Sequence, residues 1–344
     1  MRKLTDKNLK SALKEGVKPL YYVAGNDEFL IDGCIAAILR AAVGETNGEI
    51  YRFDAVKSEE QEIEQPFVTY SFGGDSKAIL FDNCQFGSLP AARSKLLSGL
   101  IADVPEGTTV VCKQYSDDNR FSVGKKTEQF VALCPDSVLV EVSAKKGFEL
   151  DNYIASLIKR SGCTARDSVA KRISELCGDD LMLISNEVNK LAAACGYGEI
   201  TVELVDALCV HTTEAGVYDM ISKIERGDVA GAMSLLGAML DDRTAPLMIT
   251  AALNTAFINY YRARLARDKR LPEKQLFSLF DYKSGDRKVS IAYERCTKFG
   301  TAQLEQAICI LSELDLSLKS SSVDGRIVLE TGVARLVYAL RSRT

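Results

Sequence analysis

The sequence predicts an α/β domain with a parallel sheet, followed by an all-α remainder. Up to Val142, apolar runs of strand length alternate with helical patterns, which is typical of a parallel sheet covered on both faces. After Val142 the strand pattern stops, and apolar residues recur at helical spacing almost to the end of the chain. A length of 344 residues is enough for two or three domains, each with its own core.

The predicted elements follow one another with short connections. A helix is expected at 5–15, and a strand around 21–23 leads into a second helix. Strands are then predicted at 49–54, 77–82, 108–113 and 137–142, and helices between them at 58–67, 89–101 and 124–133. The remaining helices are predicted at 148–161, 165–177, 180–195, 201–210, 215–225, 228–240, 245–267, 304–318 and 327–340. The polar and basic stretch 268–289 is expected to contain a loop.

The first strand-turn-helix, Lys18 to Leu39, looks like the start of a nucleotide-binding fold. Its turn, Gly25-Asn26-Asp27-Glu28, stands where a P-loop NTPase has a glycine-rich loop ending in Gly-Lys-Ser/Thr. The lysine and the hydroxyl are missing here, and two carboxylates stand at the helix N-terminus. Carboxylates cap a helix and complement its dipole, but they repel a triphosphate. We therefore expect no nucleotide cofactor at this turn.

Composition excludes several other classes of site. The ten cysteines are scattered without a C-x-x-C pair, and His211 is the only histidine, so we expect buried free thiols rather than a metal site. A single histidine also removes most acid–base mechanisms, and no catalytic residue is predicted. No apolar run reaches the about 18 residues of a membrane span, and the charged N-terminus is unlike a signal peptide, so a cytoplasmic protein is expected. The net charge of −4 argues against a globally cationic nucleic-acid binder but permits a local basic face.

Five blocks in order along the chain resemble one family. They are PLYYVAGNDEFLID at 19–32, TYSFGGDSKAIL at 69–80, LMLISNEVNKLAAACG at 181–196, VYDMISKIERGDVAGAMSLLGAML at 217–240 and LSELDLSLKSSSVDGRIVLETGVARL at 311–336. In these blocks the chain is similar to the delta subunits of the bacterial DNA polymerase III clamp loader.

The resemblance implies three domains and a function. It implies a P-loop-NTPase-like (AAA+) domain without the phosphate loop at 1–143, a small helical lid domain at 144–212 and a helical collar domain at 213–344. A delta subunit binds no ATP; it binds the sliding clamp and holds one clamp interface open for loading onto primed DNA. The implied partners are the clamp, the other loader subunits in a heteropentamer, and primed DNA. The residues alone equally allow the last block to be a self-contained helical bundle.

The resemblance also implies where the clamp is bound. The family exposes hydrophobic side chains, typically Leu-Phe, at a turn just before the third predicted strand, 77–82. Phe72 stands where that phenylalanine is found, whereas Ser71 stands in place of the leucine, and Tyr70 or Phe67 is a candidate for the missing apolar area. Spacing alone favours a Phe72 side chain that packs inward, because most phenylalanines are buried.

Basic residues follow the next predicted strand, and two other functions remain open. Lys113, Arg120, Lys125 and Lys126, with a second set at 283–288, are candidates for phosphate contacts with DNA or else part of a solvated surface. One alternative to a clamp-loader subunit is a nucleotide-dependent, P-loop-like enzyme with an atypical phosphate site. The other is a helical scaffold protein unrelated to replication.

Overall fold

The computed structural model describes residues 1–44, 48–69, 76–118, 121–280, 282, 287–320 and 322–341. The chain divides into two compact units, Met1–Ala144 and Lys145–Thr344. The three-domain organisation, with boundaries at residues 143 and 212, stays a prediction.

The first unit is built on a single parallel sheet. Its strands are β1 (Arg2–Thr5), β2 (Leu20–Gly25), β3 (Ile50–Asp54), β4 (Lys77–Asp82), β5 (Thr108–Tyr115) and β6 (Val138–Val142). They lie in the order β1-β6-β2-β5-β4-β3. Every residue of the interior strand β2 is buried, as expected for a parallel strand with helices on both faces of the sheet.

The α-helices described in this unit pack on the sheet. They are α1 (Asp6–Lys14), α2 (Glu28–Val43), α3 (Glu60–Val68), α4 (Ala91–Ala102) and α5 (Lys125–Val131). Helices α3, α4 and α5 contribute Ile63, Leu97 and Phe130 to an apolar core with Tyr22 and Phe81 from the sheet. Helices α1 and α2 pack against each other, α2 on the central strands and α1 on β6.

The sheet has one strand more than the sequence predicted. Strand β1 pairs in parallel with β6, so that Arg2 lies opposite Val138. It was missed because it is a short edge strand in which only Leu4 is apolar and three of four residues are exposed. Such a strand has neither the apolar run nor the alternation from which strands are predicted.

The second unit is almost entirely helical. Its helices are α6 (Phe148–Arg160), α7 (Asp167–Cys177), α8 (Leu181–Ala194), α9 (Val202–Leu208), α10 (Thr213–Glu225), α11 (Val229–Asp241), α12 (Pro246–Asp268), α13 (Glu273–Leu279), α14 (Arg287–Arg295), α15 (Thr301–Ser320) and α16 (Gly325–Arg341). Two short strands, β7 (Thr164–Ala165) and β8 (Glu199–Ile200), pair in parallel. Neither was predicted, because two residues are too few to show a strand period.

Helix α12 is the centre of the later helices. It packs against α10, α14 and α15, and its Leu253, Phe257 and Tyr260 are fully buried. Within the stretch 268–289, where a loop was expected, the described residues include α13 and the start of α14. Leu276 of α13 is buried in the core. The basic residues around it made this helix hard to predict from the sequence.

Candidate functional site

The turn between β2 and α2 is tied to the end of β6. The amide of Asn26 donates to the carbonyl oxygen of Val142 at 3.3 Å, and the side-chain oxygen of Asn26 accepts from the amide of Ala144 at 2.9 Å. Gly25 permits this approach, because a Cβ built on it would lie 2.0 Å from the Val142 oxygen. The close packing of two strand ends is therefore sufficient to explain the glycine.

The two carboxylates of the turn have different roles. The Asp27 side chain caps α2 by accepting from the amide of Leu30 at 3.0 Å, which confirms the predicted cap. Glu28 lies in the first turn of the helix and bonds to a lysine from another strand.

That lysine, Lys113, lies in β5 and bonds to two carboxylates of α2. Its Nζ is 2.9 Å from Glu28 Oε1 and 2.7 Å from Asp32 Oδ1, and its side chain is 15% exposed. Burial opposes the charge, but the hydrogen bonds to Asp32 and Glu28 outweigh burial and raise the pKa of Lys113. The cation is thus already neutralised within the chain, which leaves Lys113 a poor candidate for contact with a DNA phosphate.

The predicted clamp-binding residues fall into two groups. Tyr70, Ser71 and Phe72 lie outside the described residues. Phe67 is described, and its ring stacks on Phe81 with a centroid separation of 6.5 Å in the core of the first unit. At 8% exposure it has little surface to offer a partner, which corrects the expectation that Phe67 supplies apolar area.

Sequence reasoning missed two features beside that segment. Val68, the last residue of α3, is 73% exposed, which is a large exposed fraction for an apolar side chain. Lys77, the first residue of β4, is buried, and its ammonium donates to the carbonyl oxygens of Pro66 and Thr69. Val68 directly follows the core residue Phe67 at the end of a helix, and this position could have predicted that its side chain is exposed. The burial of Lys77 has no local signal.

The basic candidates are partly exposed. Lys125 and Lys126 lie exposed at the start of α5, whereas Arg120 lies outside the described residues. In the second basic set, Lys288 lies 3.9 Å from Glu214, and 283–286 are outside the described part. Lys125 and Lys126 therefore remain candidates for phosphate contacts, and Arg287, the first residue of α14, stays an untested candidate of the second set.

The second unit exposes apolar side chains on its last two helices. Leu316 of α15 and Ile327 and Tyr338 of α16 are more than half exposed. Leu304, Leu311 and Leu336 of the same helices are buried in the core, so each helix carries apolar residues on more than its core face. Exposed apolar side chains of this kind are typical of a surface that binds a protein partner.

The cysteines are mostly buried free thiols, as predicted. Eight of the ten are buried, Cys195 is half-buried and Cys309 is exposed. Within the described ranges no cluster of three or more potential metal ligands is found. None of the helices in the described part of the chain combines the length and apolar character of a membrane span.

Comparison with known proteins gives a consistent result along the chain. The family described as DNA polymerase III, delta subunit, matches residues 21–143, and the family described as the C-terminal domain of the DNA polymerase III delta subunit matches residues 214–336. The DNA polymerase III subunit delta of Bacillus subtilis (strain 168) is 21% identical over 340 residues, covering 95% of each chain. That of Escherichia coli (strain K12) is 20% identical over 333 residues, covering 93% of this chain and 91% of the relative.

A solved structure shares the fold. The Bacillus subtilis DNA clamp loader delta protein superposes with a TM-score of 0.64 at 19% identity, covering 97% of this chain and 100% of that one. The predicted fold class is confirmed: a parallel α/β sheet domain is followed by an almost entirely helical part. Together the two family matches cover most of the chain, so it belongs to the DNA polymerase III delta subunit family.

Proposed function

We propose that this chain is a non-catalytic subunit of the replicative clamp loader that binds the sliding clamp and stabilises its open interface. The observation that carries the proposal is the turn after β2, where Glu28 and Asp32 bond to Lys113. Carboxylates at the N-terminus of α2 disfavour a phosphate at the position where ATP-binding relatives of this fold would hold one. The subunit then acts by protein–protein contact, and only a higher affinity for the open clamp than for the closed clamp shifts that equilibrium.

Equilibrium dialysis of the full chain against labelled ATP and Mg²⁺ tests the first part. We expect no bound nucleotide at concentrations that saturate a P-loop ATPase dialysed in parallel. Stoichiometric ATP binding would favour the alternative of a nucleotide-dependent enzyme and overturn the proposal.

The proposed clamp contact is the segment 70–75 together with Val68. Phe72 is the main anchor by family resemblance, and Val68 is an exposed apolar neighbour at the end of α3. Burying one aromatic ring in a clamp pocket contributes about 1.5–3 kcal/mol, which corresponds to about a ten- to hundredfold change in Kd. The rest of the contact around Phe72 excludes water from it and fixes how the subunit is positioned on the clamp.

Calorimetric titration of the cognate clamp measures this contact. Phe72→Ala should weaken binding about ten- to hundredfold, and Val68→Ala should weaken it less, because less apolar area is removed. Leu133→Ala is the matched control. Leu133 is also an exposed apolar residue of the first unit, but it lies just after α5, far in sequence from the proposed clamp contact. Full affinity in Phe72→Ala would remove Phe72 from the interface.

The last two helices are the proposed contact with neighbouring loader subunits. Their exposed apolar residues Leu316 and Ile327 would be buried in that contact. The double variant Leu316→Glu, Ile327→Glu should no longer co-elute with the other subunits, yet should bind the clamp normally. Leu208→Glu, at an exposed apolar position of α9, is the control. Normal assembly of the double variant would contradict this interface.

Primed DNA is the proposed partner of the basic start of α5. In the assembled loader, Lys125→Ala and Lys126→Ala should each reduce the slope of log K against log salt by about 0.9 if each lysine contacts a duplex phosphate. Lys95→Ala, an exposed lysine of α4, should leave the slope unchanged. An unchanged slope in both of the first two variants would assign these lysines to solvent.

A further inference from the structure

Two cysteine side chains of the second unit lie against each other at the ends of two helices. Their sulfur atoms, Cys163 Sγ and Cys195 Sγ, are 4.0 Å apart, although the residues are 32 positions apart in the sequence. A disulfide bond has a sulfur separation of about 2.05 Å, so side-chain rotations that bring the sulfurs about 2 Å closer would join them. The distance therefore makes the pair a candidate dithiol site.

The main chain on both sides of the pair is fixed by hydrogen bonds. Cys163 lies just after α6, where its amide donates to the carbonyl oxygen of Ile158 at 3.2 Å. Cys195 is the C-cap residue of α8. The two short strands that follow the cysteines, β7 and β8, pair with each other, and the amide of Thr164 donates to the carbonyl oxygen of Gly198 at 3.1 Å. The approach of the two thiols is thus set by regular main-chain structure.

The two thiols differ in exposure, and this sets the order in which they react. Cys163 is 5% exposed, and burial is the main cause that raises the pKa of its thiol. Cys195 is half-buried, and its thiol donates to the carbonyl oxygen of Ala192 at 3.4 Å. Because a thiolate that is accessible from solvent is the attacking species in thiol–disulfide exchange, Cys195 is the thiol that reacts first with a small disulfide.

We propose that Cys163 and Cys195 form a reversible disulfide that joins the ends of α6 and α8 when a low-molecular-weight disulfide such as oxidised glutathione is present. The Cys195 thiolate attacks one sulfur of this oxidant, breaks its S–S bond, forms a mixed disulfide and releases one thiol. The Cys163 thiolate then attacks Cys195 Sγ, forms the protein disulfide and releases the second thiol. Two protein thiols are oxidised, the small disulfide is reduced to two thiols, and the two protons lost by the protein are taken up by them. Disulfides of reducing compartments are usually transient and redox-sensing, and reduced glutathione reverses this one.

Peptide mapping of the full, folded chain in an equimolar buffer of reduced and oxidised glutathione tests the site. After acid quenching and alkylation of free thiols, we expect most molecules to carry a link between Cys163 and Cys195. Cys163→Ser should instead carry glutathione on Cys195, because the first step remains possible, whereas Cys195→Ser should leave Cys163 largely free. Cys309→Ser is the control, since it removes an exposed thiol outside the pair and should leave the link unchanged.

The link should also stabilise the helices that it joins. Because it closes a loop between residues 32 positions apart, it should raise the midpoint of thermal unfolding by about 5–10 °C. Hydrogen exchange at the amides of Thr164 and Tyr197, which bond to Gly198 and Ala192, should slow about tenfold. Dithiothreitol should restore both original values.

Two results would overturn the proposal. Free thiols, or glutathione on Cys195 without a link, would show that the two sulfurs do not meet in the folded chain. A link that forms only in urea, or that changes neither hydrogen exchange nor thermal unfolding, would show that it does not join α6 to α8 in the native fold. Neither result bears on clamp binding, because the inference does not rest on the function proposed above.

Discussion

Replacing Gly25 by alanine tests why the turn after β2 keeps its glycine. Gly25 ends β2, and an added Cβ would lie 2.0 Å from the Val142 oxygen and 2.8 Å from Val142 Cβ. Ordinary contact begins at 3.4 Å, so the ends of β2 and β6 would have to separate by about 1.4 Å. The hydrogen bond from Asn26 to Val142, already 3.3 Å long, would then be lost.

The expected cost follows from these two effects. Overpacking of this kind costs about 1–3 kcal/mol, and one lost main-chain hydrogen bond adds about 1 kcal/mol, so Gly25→Ala should lower the free energy of unfolding by about 2–4 kcal/mol. The control is Gly33→Ala, where a Cβ meets nothing within 4 Å in the interior of α2. That change should raise the free energy of unfolding by about 0.5–1 kcal/mol, because alanine favours helix over glycine.

Urea unfolding followed by far-ultraviolet circular dichroism measures both variants. Hydrogen exchange then shows whether the loss is confined to residues 1–144, since the two compact units need not unfold together. A Gly25→Ala protein as stable as the original chain would refute the packing explanation and reopen the view that the glycine serves a bound phosphate.

Three further substitutions test interactions elsewhere by the same urea unfolding. Lys113→Met should lower the free energy of unfolding by about 1 kcal/mol at pH 7. Because folding raises the pKa of Lys113, this difference from the original chain should vanish as the pH rises through that pKa. A difference that stays constant with pH would contradict the ion pairs. Glu187→Ala should cost about 2 kcal/mol, since the buried carboxylate accepts from the amide of Val210 at 3.0 Å, and a cost below about 0.5 kcal/mol would mean that water replaces it. Gly332→Ala should cost about 1–2 kcal/mol, because its Cβ would lie 2.6 Å from Leu314 Cδ1 between α15 and α16; unchanged stability would show that Leu314 moves freely aside.

Interactions local in sequence were the ones that could be predicted. The bounds of β4 agree with the prediction because its apolar run is continuous, and the Asp27 cap joins residues only three apart. The bond from Lys113 to Glu28 joins residues 85 apart in the sequence, so it exists only once β5 lies beside β2 in the sheet. A lysine near the end of a strand is ordinarily solvated, and the sequence offers no reason to expect a carboxylate beside it.

Burial of Lys77 shows the same limit more strongly. Its acceptors are main-chain oxygens, which every residue possesses, so no residue type in the sequence marks the partner. Phe67 shows the converse: its aromatic character made it a candidate for the clamp contact, whereas the position of Phe81 across the core decides that it faces inward. Which side of a short helix faces the sheet is settled by packing, and a nine-residue helix such as α3 has too few turns to display a clear stripe.

The turn after β2 is held in place by groups of the chain itself. In a phosphate loop a lysine and a helix N-terminus hold the anionic ligand. Here the lysine is Lys113, from β5, and it bonds to two carboxylates, Glu28 and Asp32 of α2, so the group keeps an excess negative charge that disfavours an anionic ligand. Asn26 and Gly25 fix the same turn to β6 through short-range packing and hydrogen bonds. Close packing against β6 thus explains Gly25, and the bonds to α2 explain Lys113, so neither residue needs a phosphate to account for its position.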